Sequence, residues 1–161
     1  MQLTKLAMCA AMFFIGTCVQ AQTSAPAASN EVSPKFDAEL AKSAGADDYG
    51  MKSYVMVVLK TGPKTMPKGP ERDAMFKGHF ANIKRLASEK KLAVAGPLDG
   101  VDGWRGIFIL AGGDIEEAKK MVATDPVIIN GEMVAEYHKL YSSAALMLVN
   151  DNHEKVAKKS F

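Results

Sequence analysis

One histidine occupies a helix position where an apolar side chain is expected. Residues 71–90 have helical periodicity, with apolar residues on one stripe and charged residues off it. His79 lies on that stripe, and a titratable ring facing the sheet can act as a general acid or base at the floor of a cleft. The alternative is a buried histidine hydrogen-bonded to the backbone, and the pattern alone favours this alternative. The stripe comprises Phe76, His79, Phe80, Ile83, Leu86 and Ala87.

A carboxylate that could partner this histidine follows the second predicted helix. In the pair Asp125-Pro126, the carboxylate could orient the His79 imidazole and hold its tautomer. The structural alternative is that Asp125 caps a new helical turn over residues 126–130, and the pattern alone favours it. We expect the start of the first helix and the end of the second to approach the same edge of the sheet. The two side chains could therefore meet.

The other chemically active residues give weaker signals. Arg105, at the start of the third predicted strand, could bind an anionic substrate or be an ordinary surface arginine. His79, His138 and His153 have no metal-ligand spacing, so the sequence predicts no metal site.

The elements that would position these residues follow a recognisable order. Apolar runs bounded by glycine and proline indicate strands, and apolar stripes at helical spacing indicate helices. Asp114 and Glu117 have capping-box spacing at the start of the second helix. The order β-α-β-β-α-β is the ferredoxin-like α+β arrangement, with two helices on one face of a four-stranded antiparallel sheet. The predicted strands are 54–59, 92–95, 104–111 and 131–138, and the domain is expected to span residues 53–147.

The sheet predicted in this way has one face without helices. The first and third strands are nevertheless apolar on both sides, which indicates that both faces are buried. A second copy packed sheet against sheet would cover the open face, so we expect a homodimer. The alternative is that the 36–44 helix or the C-terminal tail, residues 148–161, covers part of that face. Both segments look too short to cover it alone.

The N-terminus has the three zones of a secretory signal peptide. Lys5 precedes an apolar run over residues 6–19, and small side chains allow cleavage after Ala21. The protein is therefore expected to be periplasmic or secreted, and it should have no transmembrane segment once the signal is cleaved. Lipid attachment at Cys18 is a less favoured alternative, because Thr17 is a poor residue before a lipidated cysteine.

Composition limits the function of the mature chain. Residues 22–52 form a linker, with a Ser/Ala/Pro-rich spacer over 23–34 and a short amphipathic helix over 36–44. Cys9 and Cys18 both lie in the signal, so the mature domain folds without disulfides. The formal charge of +2 falls by one when Lys5 is removed, and such a balance argues against a nucleic-acid partner.

Together these stretches resemble the YCII-related domain family over residues 52–146, in a branch with an export signal. The resemblance rests on the first strand, on His79-Phe80, and on Asp125-Pro126 with Gly131. Further matching stretches are Leu92-Ala93-Val94-Ala95-Gly96-Pro97, Arg105-Gly106-Ile107-Phe108-Ile109 and Glu116-Glu117-Ala118. The chain departs from the family at Lys139-Leu140, where many members end the last strand with Pro-Trp.

The resemblance implies a dimeric ferredoxin-like α+β barrel in which His79 and Asp125 face a shared cleft as an acid/base pair. It shifts the balance for this pair modestly towards function. The implied chemistry is that of a lyase or isomerase that moves protons on a small molecule without a metal or organic cofactor. The alternative function is a non-catalytic small-ligand-binding or structural dimer in the cell envelope.

Overall fold

A computed structural model describes residues 35–159 of the chain. The export signal predicted over residues 1–21 and the spacer over 23–34 lie outside these residues. No helix among residues 35–159 is long and apolar enough to cross a membrane. The elements are α1 (Ala38–Ala44), β1 (Met51–Thr61), α2 (Pro70–Ser88), β2 (Leu92–Pro97), β3 (Trp104–Ala111), α3 (Ile115–Val122), α4 (Pro126–Ile129), β4 (Met133–Ser143) and α5 (Val149–Val156), with 3₁₀ turns at Val101–Gly103 and Ala144–Leu148.

The four strands form one antiparallel sheet in the order β2-β3-β1-β4. This order and the two crossover helices confirm the ferredoxin-like α+β fold predicted from the sequence. The β4 strand continues to Ser143, five residues beyond the predicted end, because it pairs with β1 over that strand's whole length. Glu117 does not complete the predicted capping box. Its carboxylate binds Lys120, while Asp114 alone caps α3.

The main core lies between the sheet and its helices. Alternate residues of β1 face the helices, and each fully buried Val or Leu contributes about 1.5–3 kcal/mol. The α2 stripe differs from the prediction at one position, since Phe80 is 48% exposed. Met75 and Asn82 are buried on this helix instead. The core comprises Val55, Val57, Leu59, Met75, Leu86, Leu92, Phe108, Leu110, Ala118, Val122, Val127 and Met133.

The opposite face of the sheet is partly covered by the C-terminal segment. Leu146 and Met147 pack on a second cluster that includes Tyr54 and Ile109. Asn150 donates from Nδ2 to the Leu92 carbonyl at 2.7 Å, which satisfies a backbone acceptor on the edge strand β2. The Ala144–Leu148 turn therefore covers one end of this face, and the start of α5 covers one sheet edge.

A glycine inside α2 lets α4 approach closely. A Cβ atom at Gly78 would lie 2.9 Å from Cγ of Pro126. Glycine in a helix interior costs about 1 kcal/mol relative to alanine, so its presence here is explained by this approach. Gly78 directly precedes His79 and Pro126 directly follows Asp125. The same contact that brings the two helices together therefore brings the two candidate site residues together.

We expect Gly78→Ala to lower the free energy of unfolding by about 1–2 kcal/mol, because overpacking against Pro126 outweighs the gain in helix propensity. Urea unfolding measures this. When Gly78→Ala is made in a Pro126→Ala background, it should cost much less stability, because the ring that obstructs the added methyl group is absent. A Gly78→Ala protein more stable than the wild type would contradict the close approach.

Candidate functional site

His79 and Asp125 meet in the structure, as their predicted placement allowed. Nδ1 of His79 lies 2.9 Å from Oδ1 and 2.8 Å from Oδ2 of Asp125. The Asp125 residue is 0% exposed, and the His79 side chain is 10% exposed. An ionised carboxylate only accepts hydrogen bonds, so Nδ1 must donate its proton to Asp125. The contact fixes one tautomer of the neutral ring, with the proton on Nδ1 and a lone pair on Nε2.

The second ring nitrogen of His79 reaches solvent. Nε2 makes no hydrogen bond with the residues that the structure describes. Yet among those residues no buried side-chain nitrogen or oxygen lacks a hydrogen-bond partner. The exposed part of the ring must therefore include Nε2, and its lone pair is open to an incoming molecule.

Asp125 makes both of the contacts that the sequence left open. It is the N-cap of α4, with its Oδ1 accepting the Val127 N–H at 3.1 Å. It also accepts from Nδ1 of His79, and its Oδ2 accepts from Nδ2 of Asn82 at 3.2 Å. Three donors around one buried carboxylate stabilise its charge without contact with water. The structural and functional interpretations are therefore not exclusive.

A polar network behind Asp125 was missed by the sequence analysis. Nη2 of Arg85 donates to Oδ1 of Asn82 at 2.7 Å and to Oγ1 of Thr124 at 3.1 Å. Because the guanidinium takes the amide oxygen, the Asn82 amide nitrogen is directed at Asp125. The signal that could have found Asn82 is its position three residues after His79, one helical turn along the same face.

Aromatic rings enclose the rest of the imidazole. Phe108 of β3 is stacked on the His79 ring with a centroid distance of 6.0 Å. Phe76 packs edge-on at 6.1 Å, and the half-exposed Phe80 is tilted at 5.5 Å. Together with the burial of His79, these contacts limit the access of water to the imidazole.

A surface cleft begins beside this enclosure. It has a volume of about 830 Å³ and lies between α2, β2 and α5. Its lining includes Ile83, one turn after His79 on α2, and Ala95, which is opposite Phe108 in the sheet. The cleft is large enough for a small molecule, but neither His79 nor the aromatic rings around it line the cleft, which begins about one helical turn further along α2.

Arg105 does not join the His79–Asp125 pair. Its positive charge acts instead on Glu132, a fully buried carboxylate that the sequence analysis did not identify. Burial would raise the pKa of Glu132. The Met66 amide and the Arg72 guanidinium, with the charge of Arg105, outweigh burial and hold that pKa below its usual range. Glu132 is therefore a buried anion at neutral pH.

The other histidines lie elsewhere. His138 is opposite Met56 in the sheet, on the face away from α2. His153 is on α5.

Among residues 35–159 there is no group of three or more histidine, cysteine, aspartate or glutamate side chains that could hold a metal ion. What the His79–Asp125 arrangement can do is accept a proton at Nε2, with the resulting imidazolium stabilised by the buried carboxylate.

Comparison with known proteins places most of the folded part of the chain in a family. The profile of the YCII-related domain matches residues 53–138, more than half of the 161 residues. No curated protein matches the chain significantly. The matched segment begins in β1, ends in β4, and contains both His79 and Asp125. With the ferredoxin-like order of its strands, the chain thus belongs to the YCII-related domain family.

Proposed function

We propose that this protein is an enzyme that performs lyase- or isomerase-type proton transfer on a small molecule without a cofactor. His79 is the general base and acid, acting through Nε2, and Asp125 is the residue that positions it. The observation that supports this most directly is the geometry of the pair. Nδ1–H is held by a buried carboxylate, while Nε2 reaches solvent.

The proposed reaction begins with a substrate carbon acid bound against the solvent-facing Nε2 of His79. Nε2 takes a proton from the carbon, and the electron pair of the C–H bond remains on the substrate as an enolate or similar carbanion. Asp125 stabilises the imidazolium that forms, as a buried carboxylate does behind other catalytic histidines. Return of the proton to a different atom gives an isomerisation. Departure of a leaving group from the neighbouring carbon gives an elimination.

The surroundings of the ring support this assignment. Three aromatic rings limit water around the imidazole, which strengthens its electrostatic interaction with Asp125. The network through Asn82 and Arg85 holds the carboxylate in place, so little reorganisation accompanies the transfer.

A test follows proton exchange directly. Small ketones, β-keto acids and hydroxylated ring compounds are incubated with the protein in D₂O, and loss of the C–H signal is followed by NMR. We expect the wild-type protein to accelerate exchange for part of this panel. His79→Gln should lower the rate by about 100-fold or more, the usual contribution of a general base.

The matched control is His138→Gln, which removes an exposed histidine from the face of the sheet away from α2 and should leave the exchange rate unchanged. If the wild type exchanges no compound faster than His79→Gln, the enzymatic proposal is wrong. A ligand that binds both proteins without exchange would favour the non-catalytic binding function instead.

Dimerisation is the second part of the proposal. The partner we propose is a second copy of this chain, packed on the part of the sheet face that the C-terminal segment leaves uncovered. Ile107 supports this, since it is opposite Val58 on that face and remains partly exposed. Export by residues 1–21 stays a prediction of the sequence, with a mature chain that begins at Gln22.

Sedimentation equilibrium tests the dimer. We expect twice the mass of the expressed chain at micromolar concentration. Ile107→Glu should give a folded monomer, because it buries a charge in the interface. Ile129→Glu, at an exposed position of α4, is the control and should remain dimeric. A monomeric wild type would rule out this interface.

A further inference from the structure

A second buried carboxylate lies near the His79 site, and the proton transfer does not use it. Glu132, just before β4, is 0% exposed. Its Oε2 accepts the Met66 N–H at 2.7 Å, and its Oε1 accepts from Nη2 of Arg72 at 2.8 Å. A buried charge is costly, so such a residue usually holds a partner in a defined position. The partner here is Arg72.

Arg72 keeps much of its hydrogen-bonding capacity after it binds Glu132. Its side chain is 24% exposed, and its guanidinium lies over the Phe76 ring, 4.6 Å from the centroid. Only Nη2 donates to a described residue. Because no buried side-chain nitrogen there lacks a partner, Nε and Nη1 of Arg72 reach solvent. Glu132 and Phe76 thus fix the guanidinium while leaving donors available.

Arg105 lies beside the same end of β1 as Glu132, at an irregularity in the sheet. Leu59 is opposite Gly106 and Lys60 is opposite Trp104, so Arg105 is the extra residue of a β-bulge. Bulges re-aim a side chain and are common beside functional sites. Arg105 is partly buried, and its side chain makes no hydrogen bond or ion pair with the described residues. Its charge nevertheless acts on Glu132.

The charges of this group do not balance. Arg72 and Arg105 contribute two positive charges, and Glu132 contributes one negative charge that is already hydrogen-bonded. One positive charge remains, with guanidinium donors facing water. That charge and the planar donor geometry match a carboxylate monoanion better than a phosphate dianion.

The group lies close enough to His79 to serve the same bound molecule. Arg72, Phe76 and His79 fall on one face of α2. The Phe76 ring links them, at 4.6 Å from the guanidinium carbon and 6.1 Å from the imidazole centroid. The Phe76 ring therefore connects the guanidinium to the imidazole through two direct contacts.

We propose that Arg72 and Arg105, organised by the buried Glu132, form a subsite for the carboxylate of a small organic acid whose reacting carbon lies at His79. This inference rests on the proposed function for the position of the reacting carbon. The subsite itself requires only the two arginines and Glu132. It defines the substrate class as an organic monoanion.

The side chains themselves provide the test. The arginines of the sequence are Arg72, Arg85 and Arg105, so an ¹H–¹⁵N spectrum of the Nε–H groups reports on the subsite and contains an internal control. The probes are acetate and benzoate, with benzamide as the neutral analogue of benzoate and inorganic phosphate as the alternative anion. We expect benzoate to shift the Arg72 and Arg105 signals while Arg85, held by Asn82 and Thr124, is unmoved.

Variants separate this inference from the proposed reaction. Arg105→Gln breaks no hydrogen bond of the described residues and should weaken benzoate binding by about 10-fold, the usual effect of one charged contact. Lys120→Gln removes an equal charge from α3 and should change nothing. His79→Gln should still bind benzoate, so failure of the catalytic role leaves this result intact.

Four results would overturn the subsite. The first is that neither carboxylate shifts the Arg72 and Arg105 signals, and the second is that benzamide shifts them as much as benzoate does. The third is that Arg105→Gln binds benzoate as tightly as the wild type does. The fourth is that phosphate binds more tightly than either carboxylate. If one of these results were found but proton exchange still depended on His79, the subsite would be wrong and the proposed function would stand.

Discussion

The hydrogen bond from Nδ1 of His79 to the buried carboxylate of Asp125 is the interaction on which the rest of the site depends. A carboxylate with no solvent exposure is stable only when donors surround it. The imidazole, the Asn82 amide and the Val127 backbone N–H supply those donors. The same bonds that make Asp125 tolerable inside the protein also set the tautomer of His79. Stability and the proposed chemistry therefore have one physical origin.

This constraint extends to the helices that carry the two residues. Asp125 and Pro126 begin α4, and that turn must pack directly against α2 for the bond to form. Gly78 allows this approach at a cost in helix propensity. The contact between α2 and α4 thus offsets the loss of helix propensity at Gly78. Arg85 extends the arrangement by fixing the Asn82 amide from the surface side.

Much of the fold could be predicted from the sequence, because apolar periodicity follows directly from which faces are buried. The strand order, the β3 bounds and the Asp125 cap are confirmed. The end of β4 was predicted five residues too early. Its last five residues show little alternation of apolar and polar side chains, and they are extended because they pair with β1. Phe80 was expected inside, but hydrophobicity alone does not show whether an aromatic ring is buried in the core or half-exposed at its edge.

The site itself was only half predictable. His79 and Asp125 stood out because a ring on an apolar stripe and an Asp-Pro pair are unusual, and topology placed them near one another. Asn82 and Glu132 did not stand out, because polar residues are common at such positions and their burial depends on partners distant in sequence. Arg105 was identified by type alone, and its neighbour Glu132 was visible only in three dimensions.

The most direct measurement of the central claim is the tautomer of His79 in the neutral form of the ring. Long-range ¹H–¹⁵N correlation of the imidazole distinguishes a protonated from an unprotonated nitrogen. The structure predicts a proton on Nδ1 and an unprotonated Nε2, with the pattern lost in Asp125→Ala. A neutral ring protonated on Nε2 in the wild type would contradict it, since the lone pair would then face Asp125 and no base would face solvent.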